Sequence, residues 1–314
     1  MKATLIIVNH NGCDLLERSV PAALEAARRA GDCTVMVVDD GSTDNSIYVL
    51  STKFEDVRVL ALSKRGFGGV CNAGVAAADT EAIVLLNNDV VVSDHFLGPL
   101  LADLARPDVF AVGCKFLNPD GSLEDALGNR TTGRWQQGLL QIYHETRLDK
   151  LDQTCPQLYA NGGGMAFSRE RWTALGGFDS LYRPLYWEDV DLGYRAWGRG
   201  WQVLYEPASV VFHDQGSTMK RLHRPAHVEL MSAKNALLFS WKNLLARRLF
   251  RSALAAQARW PTDDVLIGTP PQRTAALWLA LRQLREACRG RAREQRERLR
   301  SDDEILDLAS GAMV

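Results

Sequence analysis

The chain has 314 residues, 46% hydrophobic and 24% charged, enough for a substantial core in one large α/β domain with an extension. Its net charge of −1 hides an uneven distribution: residues 219–300 hold 18 Lys or Arg against 6 Asp or Glu, leaving −13 elsewhere. No apolar run approaches the ~18–20 residues that span a bilayer, and six scattered cysteines without a CxxC pair exclude a zinc cluster or disulfide framework and fit a reducing compartment.

TLIIV (4–8) predicts a first strand, too short for a signal-peptide core. A helix is expected from Asp14 to Ala30, closed by Gly31. VMVV (35–38) predicts a second strand ending at Asp39, Asp40, Gly41 and Ser42, and a helix follows from Ser42 to Leu50. VRVLAL (57–62) reads as a third strand, Gly69 to Ala78 as a helix, and AIVLL (82–86) as a fourth strand. Alternation of this kind implies βαβ units and a parallel sheet. Ligands of such sheets bind beyond the carboxyl ends of the strands, so Asn9, Asp39, Asp40 and Asp89 should share one rim.

Residues 118–160 are polar and read as loops with short elements, and Asn161 then precedes three glycines. A helical pattern covers 188–199, and WQVLY (201–205) and SVVFH (209–213) read as two strands. From Ala226 the pattern is helical and basic, with a loop flanked by Pro261, Pro270 and Pro271. A final amphipathic helix carries Leu277, Leu281, Leu284 and Cys288 on one face, ahead of the Arg-rich stretch 289–300. Such a basic tail suits an anionic surface or a solvated helical face.

Asp89 is set, with Asn87 and Asn88, into the apolar run AIVLLNNDVVV (82–92), where a carboxylate is costly unless it sits at a strand tip or holds a cation. His213 ends SVVFH and could supply a nitrogen ligand to the same divalent metal, or play a structural role. Asp39 or Asp40 could accept hydrogen bonds from a base or ribose, or belong to a capping turn. KRGFGGVCNAG (64–74) opens a helix with free N–H groups and Arg65, a setting for an anion or simply a structural turn. In WEDVDLGYR, Glu188 and Asp191 share a face with Arg195 as structural partners, while Asp189 projects alone and suits general-base work.

Taken in order, VVDDGSTDNS (37–46), KRGFGGVCNAG (64–74), LLNNDVVV (85–92), NGGGMAFSRERWTALGGFD (161–179), YWEDVDLGYRAWGRGW (186–201) and VVFHDQGS (210–217) resemble the family 2 glycosyltransferases, inverting enzymes of GT-A fold. The likeness is closest to the bacterial rhamnosyltransferase-like branch of cell-surface polysaccharide synthesis. It implies a mostly parallel, Rossmann-like sheet flanked by helices, with residues 1–220 as the catalytic domain and 221–314 as a helical, basic extension. Val8, Asn9 and Asp39 or Asp40 would hold the base and ribose of a nucleotide-sugar, and Arg65, with Gly66 of the same turn, would contact the nucleotide. Asn88 and Asp89 fill the slot of the family's DxD motif, with Asn87 replacing its first acid, and Lys64 stands where asparagine is common. His213 would complete a Mg²⁺ or Mn²⁺ site, and Glu188 and Asp189 match the acidic catalytic pair with Asp189 as base.

The expected reaction is inverting transfer from a UDP- or dTDP-sugar to a hydroxyl of a glycan or lipid-linked saccharide. It would run in the cytoplasm or at the inner face of the cytoplasmic membrane, with no nucleic-acid partner. The basic helices could meet anionic lipid, pack onto the catalytic domain, or pair two subunits of a homo-oligomer. A sugar nucleotidyltransferase would want a Gly- and basic-rich loop after the first strand, where NHNGCDLLE stands instead. A non-catalytic nucleotide-sugar-binding scaffold would have less use for Glu188, Asp189 and His213.

Overall fold

The computed structural model describes residues 1–124, 129–136, 139–147, 150–214, 225–267 and 272–311. Its parallel half is built from Ala3–Asn9 (β1), Cys33–Asp40 (β2), Arg58–Leu62 (β3) and Ala82–Asn87 (β4), ordered β3-β2-β1-β4. The helices Cys13–Ala30 (α1), Ser46–Lys53 (α2) and Phe67–Ala77 (α3) make the crossovers. Alternate residues of each strand serve opposite faces: Leu5, Ile7, Val35 and Val37 pack with α1, whereas Ile6, Met36 and Val38 pack toward α3. The register pairs Asn9 with Asp39 and Val8 with Asn87, which brings these strand tips to one edge.

Beyond β4 the sheet is mixed rather than mostly parallel. Gly164–Ser168 (β10) runs antiparallel to both β4 and Val109–Leu117 (β6), so its amino end lies beside the carboxyl end of β4. Gln202–His213 (β11) pairs parallel with β6 and antiparallel with Val90–Val92 (β5). The apolar run 82–92 is therefore two strands in different parts of the sheet, with Asn88 and Asp89 in the turn between them. Segments 201–205 and 209–213 are one strand interrupted by a bulge at 206–210, which keeps both halves in the β6 ladder. Within the predicted loop region, Thr131–Gln136 (β7) and Leu139–His144 (β8) form a hairpin and Cys155–Pro156 (β9) adds to β11.

Other predicted boundaries move for local reasons. The helix expected from Ser42 starts at Ser46 because the Ser42 hydroxyl is engaged elsewhere: it donates to Asp39 at 2.5 Å and accepts from the Asn11 amide at 2.8 Å. Leu97–Leu104 (α4) and Arg169–Leu175 (α5) flank the mixed half, and Glu188–Gly198 (α6) is buried along most of its length.

The carboxyl-terminal part is helical: Pro225–Asn243 (α7), Arg247–Ile267 (α8), Gln272–Leu281 (α9), Leu284–Glu297 (α10) and Asp302–Ser310 (α11). Pro261 lies inside α8 rather than in a loop, while Pro270 and Pro271 fall outside the described residues. The single amphipathic helix expected through Leu277–Cys288 is broken between α9 and α10. Its inward side is lined by Ala276, Ala280 and Ala287, whereas Leu281, Leu284 and Cys288 face outward. Small residues face inward because the helices lie close on α7; the Gly290 Cβ position is 3.0 Å from the Lys242 side chain. These helices are joined to the sheet-bearing part through Arg199–Glu294 at 2.9 Å, the Tyr194 hydroxyl donating to Asp302 at 2.7 Å, and the Leu299 amide donating to the Gly198 carbonyl at 2.7 Å.

Candidate active site

The tips of β1, β2 and β4 form a hydrogen-bonded chain of buried polar groups. Asn88 donates to Asn9 Oδ1 at 2.8 Å, Asn9 donates to Asp39 Oδ2 at 2.8 Å, and Asp39 Oδ1 accepts the Ser42 amide at 2.8 Å. Gly12 is needed beside this chain, since a Cβ there would stand 2.1 Å from Asn88 Nδ2. Asp40 turns the other way and accepts the amides of Arg65 at 2.5 Å and Gly66 at 3.0 Å, pinning the glycine turn ahead of α3. Arg65 is exposed and Val8 half-buried above this floor. His10 bridges the two turns, bonded to the Asp40 carbonyl at 3.0 Å and to Lys64 at 3.1 Å.

Asp89 and His213 meet at the β5–β11 edge, with Nε2 and Oδ1 3.5 Å apart. Sequence reasoning missed Glu124, which lies in the polar region before β7 and is almost wholly buried. Its carboxylate is 3.1 Å from His213 Nδ1. Although burial opposes charging the ring, hydrogen bonds to Asp89 and Glu124 prevail and raise its pKa to about 10. Among the described residues, no group of three or more His, Cys, Asp or Glu encloses a cation. A partial site would fit one once the cation displaced the proton on Nε2: an oxygen and a nitrogen 3.5 Å apart suit neighbouring ligand positions, and a carboxylate on the far ring nitrogen is the usual orienting partner of a metal-binding histidine.

Glu188 and Asp189 start α6 after two non-glycine residues with left-handed backbone, Tyr186 at φ 64° and Trp187 at φ 80°. Asp189 accepts the Val190 amide at 2.8 Å and the Gly162 amide at the head of β10. Next to it, the Gly163 carbonyl accepts the Asn87 amide at 3.1 Å. The glycines and β10 thus tie the acidic pair to the tip of β4. Burial raises the Asp189 pKa to about 6; burial and then repulsion from Asp189 raise Glu188 to about 8.

Glu188 does not pair with Arg195 as its helical spacing suggested. It lines a small cleft with Gly66, Phe67, Gly69, Phe178 and Arg183. The other expected partner does pair: Arg195 binds Asp191 at 2.6 Å, and Lys242 (2.7 Å), Asn243 (2.8 Å) and the Tyr182 hydroxyl (2.8 Å) complete a buried cluster around that carboxylate. Glu188 and Arg195 are seven residues apart, about 10.5 Å along the helix, so a shared face does not bring them into contact, and Glu188 lies toward α3 instead.

Residues 4–171 match the family described as Glycosyl transferase family 2. The chain belongs to that family. Over 231 residues it is 26% identical to the O-antigen biosynthesis protein RfbC of Myxococcus xanthus, covering 70% of this chain but 18% of RfbC. It is 25% identical over 252 residues to the N-acetylglucosaminyl-diphospho-decaprenol L-rhamnosyltransferase of Mycobacterium tuberculosis, covering 71% of this chain and 80% of that protein. GalNAc-T7, crystallised with UDP, GalNAc and Mn²⁺, superposes with a TM-score of 0.62 over 82% of this chain and 51% of its own, at 19% identity. That likeness bears on the fold alone, the GT-A arrangement of a mixed sheet between helices. The matched family region ends before α6, so α6 through α11 lie outside it.

Proposed function

We propose that this family 2 glycosyltransferase transfers a sugar, with inversion, from a UDP- or dTDP-sugar to a hydroxyl of a lipid-linked saccharide in cell-envelope polysaccharide synthesis. The observation that carries this reading is the acidic pair at a strained helix start, tethered by Gly162 and Gly163 to the same strand tip as Asn88 and Asp89. In this reading residues 1–220 perform the chemistry, and 221–314 hold the acceptor side in place. The names and cofactors of the relatives, a decaprenol-linked rhamnosyl transfer and UDP with Mn²⁺, support the donor, acceptor and metal classes.

Asp189, ionised near neutral pH, takes the proton of the attacking hydroxyl. Glu188, held protonated at the same pH, offers a donor instead of competing as a base, so two adjacent carboxyls take separate roles. Asp39 and the exposed Arg65 bind the nucleotide, on a floor set by Asn9 and Asn88, with Val8 and the Gly66 turn beside them. Asp89 and His213 would hold Mg²⁺ or Mn²⁺, which neutralises charge developing on the leaving diphosphate. An Asp189→Asn variant should bind nucleotide normally and lose at least ~100-fold in turnover; wild-type turnover would refute the base assignment.

Membrane contact is part of the same reading. Among the described residues, no helix is long and apolar enough to cross a membrane. The outer side of α9 and α10 exposes Trp278 (66%), Leu281 and Leu284 beside Arg282, Arg285 and Arg289. Apolar side chains ringed by arginines suit an anionic lipid surface, at about 1 kcal/mol per cation near it. Flotation with phosphatidylglycerol vesicles should carry the protein upward, and Trp278→Ser should weaken this; no flotation on anionic vesicles counts against a membrane role.

A further inference from the structure

The backbone that aims Glu188 and Asp189 is held by a helix far away in sequence. Tyr186 and Trp187 are bulky residues in the left-handed region, a conformation that persists only when the surroundings enforce it. Trp187 occupies the cap position of α6 without a side-chain cap bond, so the helix start has no local clamp of that kind. The restraint comes from α7. Asn235 Nδ2 lies 2.6 Å from the Tyr182 carbonyl, 2.8 Å from that of Leu185 and 3.0 Å from that of Tyr186. Just ahead of it on the same helix, Ser232 receives the Trp187 indole N–H at 3.2 Å and Lys234 donates to the Arg183 carbonyl at 2.7 Å.

Asn235 is fully buried, and its Oδ1 has no donor among the described residues. An unmatched buried acceptor disfavours an amide at this position. An apolar side chain of equal size would remove that penalty, and the neighbours Leu237, Leu238 and Phe239 already fill the core. What the amide supplies is its N–H groups, directed at three carbonyls of the loop preceding the acidic pair.

We propose that Asn235 is a positioning residue for catalysis. It fixes the left-handed backbone at 186–187 and so keeps Asp189 against Gly162, facing the donor site. The proposal rests on Asp189 being the base. Asn235 donates to backbone carbonyls upstream of Glu188 and acts through them.

The test compares Asn235→Ala and Asn235→Leu with Asp189→Asn in the full chain. Turnover is read as nucleotide release from a panel of UDP- and dTDP-sugars with Mn²⁺ and decaprenyl-diphospho-N-acetylglucosamine as the hydroxyl acceptor, nucleotide binding is read with UDP and dTDP, and hydrogen exchange is read on residues 183–190. Both Asn235 variants should lose roughly 10- to 100-fold in kcat, the scale of a ~1 Å misplacement. Donor KM and nucleotide affinity should stay within about twofold, while amides at 183–190 exchange faster and those of β1 and β4 do not. Asn235→Leu preserves the volume, so it decides the matter if the alanine variant fails to fold. Wild-type kcat in Asn235→Leu overturns the proposal, as does an equal loss of kcat and nucleotide affinity. Unchanged exchange at 183–190 overturns it independently of activity. Wild-type turnover in Asp189→Asn instead removes the base reading, and the exchange data still decide whether Asn235 holds the loop.

Discussion

Asp191 is the strongest test of what holds the site's framework together. It is fully buried two residues after Asp189, and Arg195, Lys242, Asn243 and Tyr182 converge on its two oxygens. Burial alone would raise its pKa, yet Arg195 and Lys242 hold it far below the usual carboxylate range. Such a group stabilises the fold above its unfolded pKa of ~3.9, and that contribution fades only as pH falls below this value. Asp191→Leu at pH 7 leaves two buried cations whose principal carboxylate is gone, with side chains only 3% and 4% exposed. The expected loss is ~3–5 kcal/mol, a large share of a typical 5–15 kcal/mol total. Most of that cost should lie in the stranded charges. Adding Lys242→Met to Asp191→Leu should therefore recover part of it, with a coupling of at least ~1 kcal/mol. Urea unfolding at pH 7 followed by tryptophan fluorescence on Asp191→Leu, Lys242→Met alone and the double variant closes the cycle. A loss below ~1 kcal/mol for Asp191→Leu, or strict additivity in the double variant, would refute the reasoning.

Other outcomes follow from the same geometry. The acid limb of the kcat/KM profile should fall near pH 6, because Asp189 must be ionised to accept a proton; a limb near pH 4 would show a solvated carboxylate instead. Protonation of the Glu188–Asp189 pair favours the fold, so its contribution to stability should shrink as pH rises from ~4 through 6 and toward 8, measurable by thermal unfolding in Asp189→Asn against the parent. Glu124→Gln should raise the Mn²⁺ concentration for half-maximal turnover ~10- to 100-fold by loosening the His213 ring, and an unchanged requirement would remove Glu124 from the metal site. Gly12→Ala should break the Asn88–Asn9–Asp39 chain, destabilise the fold by ~1–3 kcal/mol and weaken nucleotide binding; a calorimetric titration with UDP and dTDP matching the parent would contradict this.

The sequence by itself determined the strand–helix alternation of residues 1–87 and the family, because short apolar runs and ordered motifs are local signals. It also put Asn9, Asp39, Asp40 and Asp89 just after apolar runs that form strands; the register brings Asn9 and Asp39 side by side, whereas Asp89 meets His213 at the β5–β11 edge. Only the tertiary structure decided what those side chains bind. Asn9 and Asn88 are spent on each other and on Asp39, and Asp40 supports the Gly66 turn, pairings set by strand register rather than by sequence distance. The same holds for Glu124, which stands 89 residues from its histidine in a polar stretch without periodicity. Helical spacing placed Glu188 and Asp191 with Arg195; the i, i+4 pair with Asp191 forms, but Glu188 is two turns away and lines a cleft toward α3 instead. The stripe of Leu277, Leu281, Leu284 and Cys288 reads as one core face by period alone. The break between α9 and α10 leaves Leu277 against the core but turns Leu281, Leu284 and Cys288 outward, while Ala276, Ala280 and Ala287 are buried. Local pattern specifies which elements form; long-range contact specifies which of their faces and acids do the work.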